Sequence, residues 1–370
     1  MKIDRFELFE LPLRLKFPFR TSFGVEQDRR ILIASLTSDG VVGMAECVAG
    51  EFPGYAYETT DTAWHVMSDF IAPAVVGKSF ASAGELLHAL RFIRGHNMAV
   101  AAVEMAYWDL KARMLNLPLF ELLGGSDRPV PVGISLGIQD SVEQTVELAA
   151  ASVGQGYGRV KLKIEPGWDH QPVRGVREAF PEISLTVDAN SAYTLIDAPA
   201  LRRLDEFGLT YIEQPLAHDD ILDHAELQAQ LETAICLDES IHSPEDARKA
   251  LAIGAGRIIN MKVGRVRGFR AALAIHDIAQ AFGAPVWCGG MLESGIGRAA
   301  NLHLSSLPNF RLPGDTSSGS RYWDKDIVNE PLEAVNGVQR IPQNGPGIGV
   351  SLDEEYVRRI VTRQAVFSGT

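Results

Sequence analysis

Cysteine is scarce in this chain, three residues in 370. Cys47, Cys236 and Cys288 lie far apart in apolar runs, without a C-x-x-C pair, which argues against a zinc ribbon or a disulfide framework and favours buried, reduced thiols. No apolar stretch approaches the roughly 20 residues of a membrane span, so no membrane domain is expected. The opening MKIDRFELFELPL alternates charged and apolar residues. That is a strand pattern lacking the continuous apolar core of a signal peptide, and the expected compartment is the cytoplasm. Positive charge is also short: a formal net charge of −12 repels polyanions and argues against a nucleic-acid partner. Low-complexity tracts and long linkers are missing too. What remains, 46% hydrophobic and 22% charged, is an ordinary globular composition. The length favours two domains, one of them large enough for a barrel of roughly 200 residues.

What the chain does have is a regular spacing. Lys163, Asp188, Glu213, Asp238 and Lys262 stand 25, 25, 25 and 24 residues apart, each closing a short apolar, β-branched run: RVKLK, LTVD, TYIE, ICLD and IINMK. A strand, loop, helix and loop together take about that many residues, so the spacing predicts one polar residue at the same level of five successive βα units.

The rest of the sequence fits around these units. Residues 1 to about 50 read as strands, FELFELPLRL, RRILIASLTS and VVGMAECVA, with Asp39-Gly40 suited to a two-residue hairpin. From about 57 to 122 the apolar spacing is helical, which makes residues 1–125 an α+β unit. Seven strand-like runs then alternate with helix-like segments, from VPVGISL to PVWCGG, and NFRLPGDT is a candidate eighth strand. The expectation for 126–320 is an α/β barrel of parallel strands. Residues 321–370 leave this rhythm and are expected to fold back on the first unit.

Asp188, Glu213 and Asp238 offer only oxygen, a donor set that suits Mg²⁺ or Mn²⁺ far better than zinc. For any one of them alone, a helix N-cap is the better reading, and DAN and DES look like caps. Together, three acids at neighbouring strand ends repel one another unless a cation compensates them. In VKLKI, Lys161 and Lys163 share one strand face by period two, whereas Lys111 and Lys249 suit the solvated face of helices. Lys163 and Lys262 fall on strands 2 and 6, across the ring from each other, with the acids between them. This arrangement suits removal of a proton next to a carboxylate: a divalent ion steadies the enediolate, and a lysine on either face exchanges the proton. Three carboxylates, one divalent ion and three lysines leave a local charge of about +2, which attracts a small carboxylate substrate to an acidic protein. Arg265, three residues after Lys262, is expected to add positive potential and lower that lysine's pKa; a surface salt bridge is the open alternative.

KLK, DAN, IEQP, LDES and NMK resemble the muconate-lactonizing subgroup of the enolase superfamily. SLGIQ, YGRVKLKIEPGWD, YIEQPLAHDD, WCGGMLESGIGRA and LPGDTSS narrow the likeness to the o-succinylbenzoate synthase and N-succinylamino acid racemase (N-acylamino acid racemase) family. The resemblance implies a modified TIM barrel, (β/α)7β, with an α+β N-terminal capping domain completed by the C-terminal segment. It implies Asp188, Glu213 and Asp238 as metal ligands, Lys163 and Lys262 as the acid/base pair, and Lys161 on the metal-bound carboxylate. Ser135, Asn190, Gly290, Met291 and Leu292 would line the substrate pocket, with backbone amides near Gly290 and Met291 receiving a distal succinyl carboxylate. Strand-end packing for Ser135 and Met291, and turn geometry for Gly290, stay open. Phe19–Gly24 and Phe52–Tyr55 are candidates for a lid. The implied reactions are racemisation of N-acyl amino acids and the dehydration that makes o-succinylbenzoate for menaquinone, in a homo-oligomer, dimer or octamer. A muconate cycloisomerase or another epimerase of the subgroup is the near alternative; a non-catalytic, metal-dependent carboxylate-binding protein is the distant one.

Overall fold

The computed structural model describes residues 1–369. Three antiparallel strands, β1 (Arg5–Thr21), β2 (Gly24–Ser38) and β3 (Val41–Cys47), open the chain. Asp39 and Gly40 turn between β2 and β3 with φ of 48° and 76°, the two positive values that a tight hairpin requires and that this dipeptide tolerates. The long helix Asn97–Met114 lies across this sheet and is buried on nearly every side. It approaches so closely that a Cβ on Gly43 would stand 2.2 Å from the Leu110 nitrogen, which explains a glycine inside β3.

Seven parallel strands follow in ring order: β4 (Ile134–Leu136), β5 (Arg159–Lys163), β6 (Ser184–Asp188), β7 (Ile212–Glu213), β8 (Ile235–Leu237), β9 (Ile258–Met261) and β10 (Val286–Cys288). A helix follows each, from Val142–Gly154 after β4 to Gly295–Leu304 after β10. Register puts Lys163 beside Asp188 and Asp188 beside Glu213, so the first three marks of the series share one level, while Glu213 stands beside Cys236 and Asp238 follows two residues later, just beyond the end of β8. The predicted eighth strand closes the ring only through single bridges, Phe310 to Val286 and Gly314 to Val132. Pro313 has no N–H to give a ladder, which accounts for the irregularity. The fold is thus a (β/α)7β barrel.

The chain then returns to the first sheet. β11 (Arg363–Ser368) pairs antiparallel with β1, from Arg5 beside Ser368 to Glu10 beside Arg363, so the C-terminal segment completes the capping sheet. All three cysteines are buried and free, and burial pushes their thiols well above the usual range. Among the described residues no helix is long and apolar enough to cross a membrane.

Candidate active site at the barrel mouth

Period two along β5 sends Arg159, Lys161 and Lys163 toward one side, and all three are buried. Lys161 Nζ lies 2.9 Å from Glu213 Oε2 and 2.8 Å from Asp315 Oδ2. Lys163 Nζ donates to Asp188 Oδ2 and to Asn190 Oδ1, both at 2.6 Å. Across the mouth, Lys262 Nζ is 2.8 Å from Asp238 Oδ2. Every carboxylate of the regular series therefore faces an ammonium. Burial alone would raise Asp188, but Lys163 and Lys161 hold it below the usual carboxylate range. Glu213 is pushed up, first by burial and then by the Asp188 charge.

Among the described residues no three His, Cys, Asp or Glu side chains are gathered into a cage that grips an ion as they stand, since the lysines occupy that space. The donors nevertheless fit a hard divalent cation. They are all oxygen, they sit on three adjoining strands with Asp188 opposite Glu213 and Asp238 just beyond the end of β8, and the Asp188–Glu213 repulsion is what such a charge relieves. Asp188, Glu213 and Asp238 would hold it.

Several supporting groups escaped the reading of the sequence. Asn260, two residues before Lys262 and on the same strand face, donates to Glu213 Oε1 at 2.6 Å. A Cβ on Gly289 would lie 2.2 Å from the Asn260 amide, so the first glycine of WCGG makes room for this bond. Asp315, from GDTS, bonds Arg159 Nη2 at 2.6 Å as well as Lys161, and these two cations outweigh burial to hold it well below the usual range. Glu239 accepts from Asn190 Nδ2 at 3.0 Å; burial, with the Asp188 charge, pushes it up to about 7. The side chain of Gln214 bonds the Asp238 and Ser240 backbone and ties β7 to the end of β8. Period two extended back along β5 and β9 would have reached Arg159 and Asn260, whereas the pairing of Asp315 depends on the return of strand 8.

Arg265 departs from expectation. It is buried, paired with Asp238, and donates to Tyr55 Oη at 3.1 Å and to the Asn260 carbonyl at 2.6 Å. Burial lowers Lys262, but Tyr55 and the carboxylates Glu239, Glu213 and Asp188 outweigh it, and the ammonium is held above its ordinary value. The expected lowering is absent because the guanidinium is directed at Asp238.

Two adjoining cavities share Phe19, Lys163, Lys262, Gly290 and Leu292 in their walls. The deeper one reaches Ser135, Lys161, Asp188 and Asp315, with the Ser135 hydroxyl buried and unpaired. The upper one reaches Asn190 and Met291 and is roofed from the capping sheet by Phe23, Phe52 and Tyr55. The Phe19 ring lies 6.0 Å from Lys163 Nζ and the Tyr55 ring 4.3 Å from Lys262 Nζ, so each lysine has its own aromatic cover. Backbone strain gathers here too: Asn190, Gln214 and Leu292 take φ of 43°, 35° and 56° just beyond their strands.

Residues 5–124 match the mandelate racemase/muconate lactonizing enzyme N-terminal domain, and residues 144–356 match the enolase C-terminal domain-like family. An N-succinylamino acid racemase of Thermus thermophilus is 49% identical over 370 residues, all of both chains. An o-succinylbenzoate synthase of Geobacillus kaustophilus is 49% identical over 371 residues, 100% of this chain and 99% of that one. The crystal structure of an enolase-superfamily member from Listeria innocua superposes with a TM-score of 0.96 at 38% identity, covering 100% of this chain and 99% of that one. With these matches and the lysine-flanked carboxylates at its mouth, the chain belongs to the muconate-lactonizing branch of the enolase superfamily, in the o-succinylbenzoate synthase/N-succinylamino acid racemase family.

Proposed function

We propose that the protein removes the proton α to a substrate carboxylate through an enediolate, racemising N-succinyl or other N-acyl amino acids and dehydrating the precursor of o-succinylbenzoate in one site. The observation that carries this is the pair Lys163 and Lys262, whose ammonium groups reach the same two cavities from different walls. Lys163 and Lys262 are assigned as the acid and base, and Asp188, Glu213 and Asp238 as ligands of Mg²⁺ or Mn²⁺. When bound, that ion supplies positive charge to the carboxylate next to the reacting carbon. Lys161, held by Asp315, adds a fixed cation beside the same carboxylate, and the Ser135 hydroxyl is free to donate to it. Asn190 positions Lys163 through its side-chain oxygen. Phe19, Phe23 and Tyr55 exclude water while the carbanion character lasts.

In racemisation one lysine takes the proton and the other returns one to the opposite face. In dehydration Lys163 acts as base and then as acid toward the leaving hydroxide, with Lys262 remaining charged. The test is α-proton exchange in D₂O with Mg²⁺ and each enantiomer of N-succinylphenylalanine, followed by NMR. Exchange from both enantiomers is expected; no exchange, together with no dehydration of the synthase substrate, overturns the reading.

A further inference from the structure

Glu239 follows the last acid of the regular series, is buried, and lines neither of the two mouth cavities. Its Oε1 accepts from Asn190 Nδ2 at 3.0 Å, while Asn190 Oδ1 accepts from Lys163 Nζ at 2.6 Å. Its Oε2 is buried and makes no hydrogen bond among the described residues. The polar work of this carboxylate is therefore directed at Asn190, and through it at Lys163.

The backbone of Asn190 is pinned on both sides. It stands at φ 43°, its N–H donates to Asp188 Oδ1 at 3.0 Å, and its carbonyl accepts from the Ser22 hydroxyl of the capping sheet at 3.3 Å. What remains to be set is which way round the side-chain amide lies. Its two ends have nearly the same shape and opposite hydrogen-bonding roles, so the partners decide. The Glu239 oxygen accepts the NH₂ end and leaves the carbonyl end for Lys163. This matters most when Lys163 is the base. A neutral amine has N–H groups and one lone pair: the Asn190 oxygen receives an N–H and leaves the lone pair for the substrate proton. A reversed amide would donate Nδ2–H to that lone pair and occupy it. Lys262 is held differently, by Asp238 at 2.8 Å and under the Tyr55 ring.

We propose that Glu239 is a positioning residue for Lys163: it fixes the orientation of the Asn190 amide and so keeps the lysine lone pair free toward one face of the substrate. This rests on the proposed reaction, with Lys163 and Lys262 serving opposite faces. Charge is the competing cause, because Glu239 also helps to hold the Lys262 ammonium. Two conservative variants separate them. Glu239→Asp keeps the charge and withdraws the acceptor by one methylene; Glu239→Gln keeps an acceptor oxygen at full reach and loses the charge. The measurement is α-proton exchange in D₂O with Mg²⁺ for each enantiomer of N-succinylphenylalanine, the enantiomer served by Lys163 being the one that stops exchanging in Lys163→Ala. Glu239→Asp is expected to slow that enantiomer at least about tenfold, the scale of one hydrogen bond to a charged group, and to leave the other within about twofold. Glu239→Gln is expected to lose much less. In Asn190→Ala, which has no amide to orient, adding Glu239→Asp should cost nothing further. No loss, or equal losses for both enantiomers, in Glu239→Asp overturns the assignment, as does an undiminished further loss in Asn190→Ala. A loss of about tenfold in Glu239→Gln overturns it whether or not Glu239→Asp folds. If neither enantiomer exchanges in the wild-type protein, it is the proposed reaction that fails.

Discussion

Two groups of buried carboxylates in this protein are satisfied in opposite ways. At the barrel mouth, Asp188, Glu213 and Asp238 face lysine ammonium groups on flexible stems. At the seam between cap and barrel, the partners are largely fixed backbone amides. Glu104 accepts from Phe269 N at 2.8 Å and Arg270 N at 3.0 Å, the first turn of the helix Phe269–Ala281, and also from Trp108 Nε1. Glu46 likewise takes Ser294 N at 3.0 Å and Gly297 N at 3.2 Å, where the helix Gly295–Leu304 begins. Inside the cap, Glu58 takes Met98 and Ala99 at the start of the long helix in the same way. A carboxylate held by helix N-terminal amides has no reason to let go. One held by a lysine can exchange that partner for an ion or a substrate. The difference separates carboxylates that hold the fold together from those proposed to hold the ion, although all are buried.

Substitutions that break this comparison should fall on different measurements. The largest effect belongs to the mouth: Lys163→Ala or Lys262→Ala should lower kcat for racemisation by about 10² to 10⁴-fold, the range of a positioned acid or base, with the folded state retained. Next, Asp238→Asn should weaken divalent-ion affinity by more than about 100-fold, read by Mn²⁺ binding without any substrate. At the seam, Glu104→Ala should cost about 2 kcal/mol of unfolding free energy in urea, because two helix amides and an indole N–H lose their acceptor, while activity per folded molecule holds.

The most diagnostic effect is that of pH. Burial pushes Glu46, Glu58 and Glu104 up to about 7 from an ordinary value of 4.5. A group raised on folding contributes stability that is complete below its unfolded pKa and is lost as pH rises through the folded one. Stability from these three groups should therefore fall between about pH 4.5 and 7, by up to about 3 kcal/mol for each. Asp188, held low, has the opposite sign: its contribution is present above the unfolded pKa and disappears as acid is added. Urea midpoints across pH, with and without Glu104→Ala, separate the two.

Much of the mouth was legible in the chain because β-strand periodicity and βα spacing are local rules. They placed Lys161, Lys163, Asp188, Glu213, Asp238 and Lys262 at one end of a barrel, and the Asp39-Gly40 hairpin followed from φ preferences alone. The strand face extended back one step would also have reached Arg159 and Asn260. Residues whose partners arrive from distant sequence were not legible. Asp315 meets Lys161 only because the eighth segment closes the ring, and Glu46 and Glu104 find their helix ends across the cap–barrel seam. Arg265 looked like a neighbour of Lys262 because it lies three residues away, yet its guanidinium turns onto Asp238 and Tyr55.

The central claim is that the two lysines serve different faces of one carbon. It is tested most directly by α-proton exchange in D₂O for Lys163→Ala and Lys262→Ala, each with the separate enantiomers of N-succinylphenylalanine. The account predicts that each variant keeps measurable exchange with one enantiomer and loses the other, and that the two variants keep opposite ones. Both variants losing, or both keeping, the same enantiomer would contradict it.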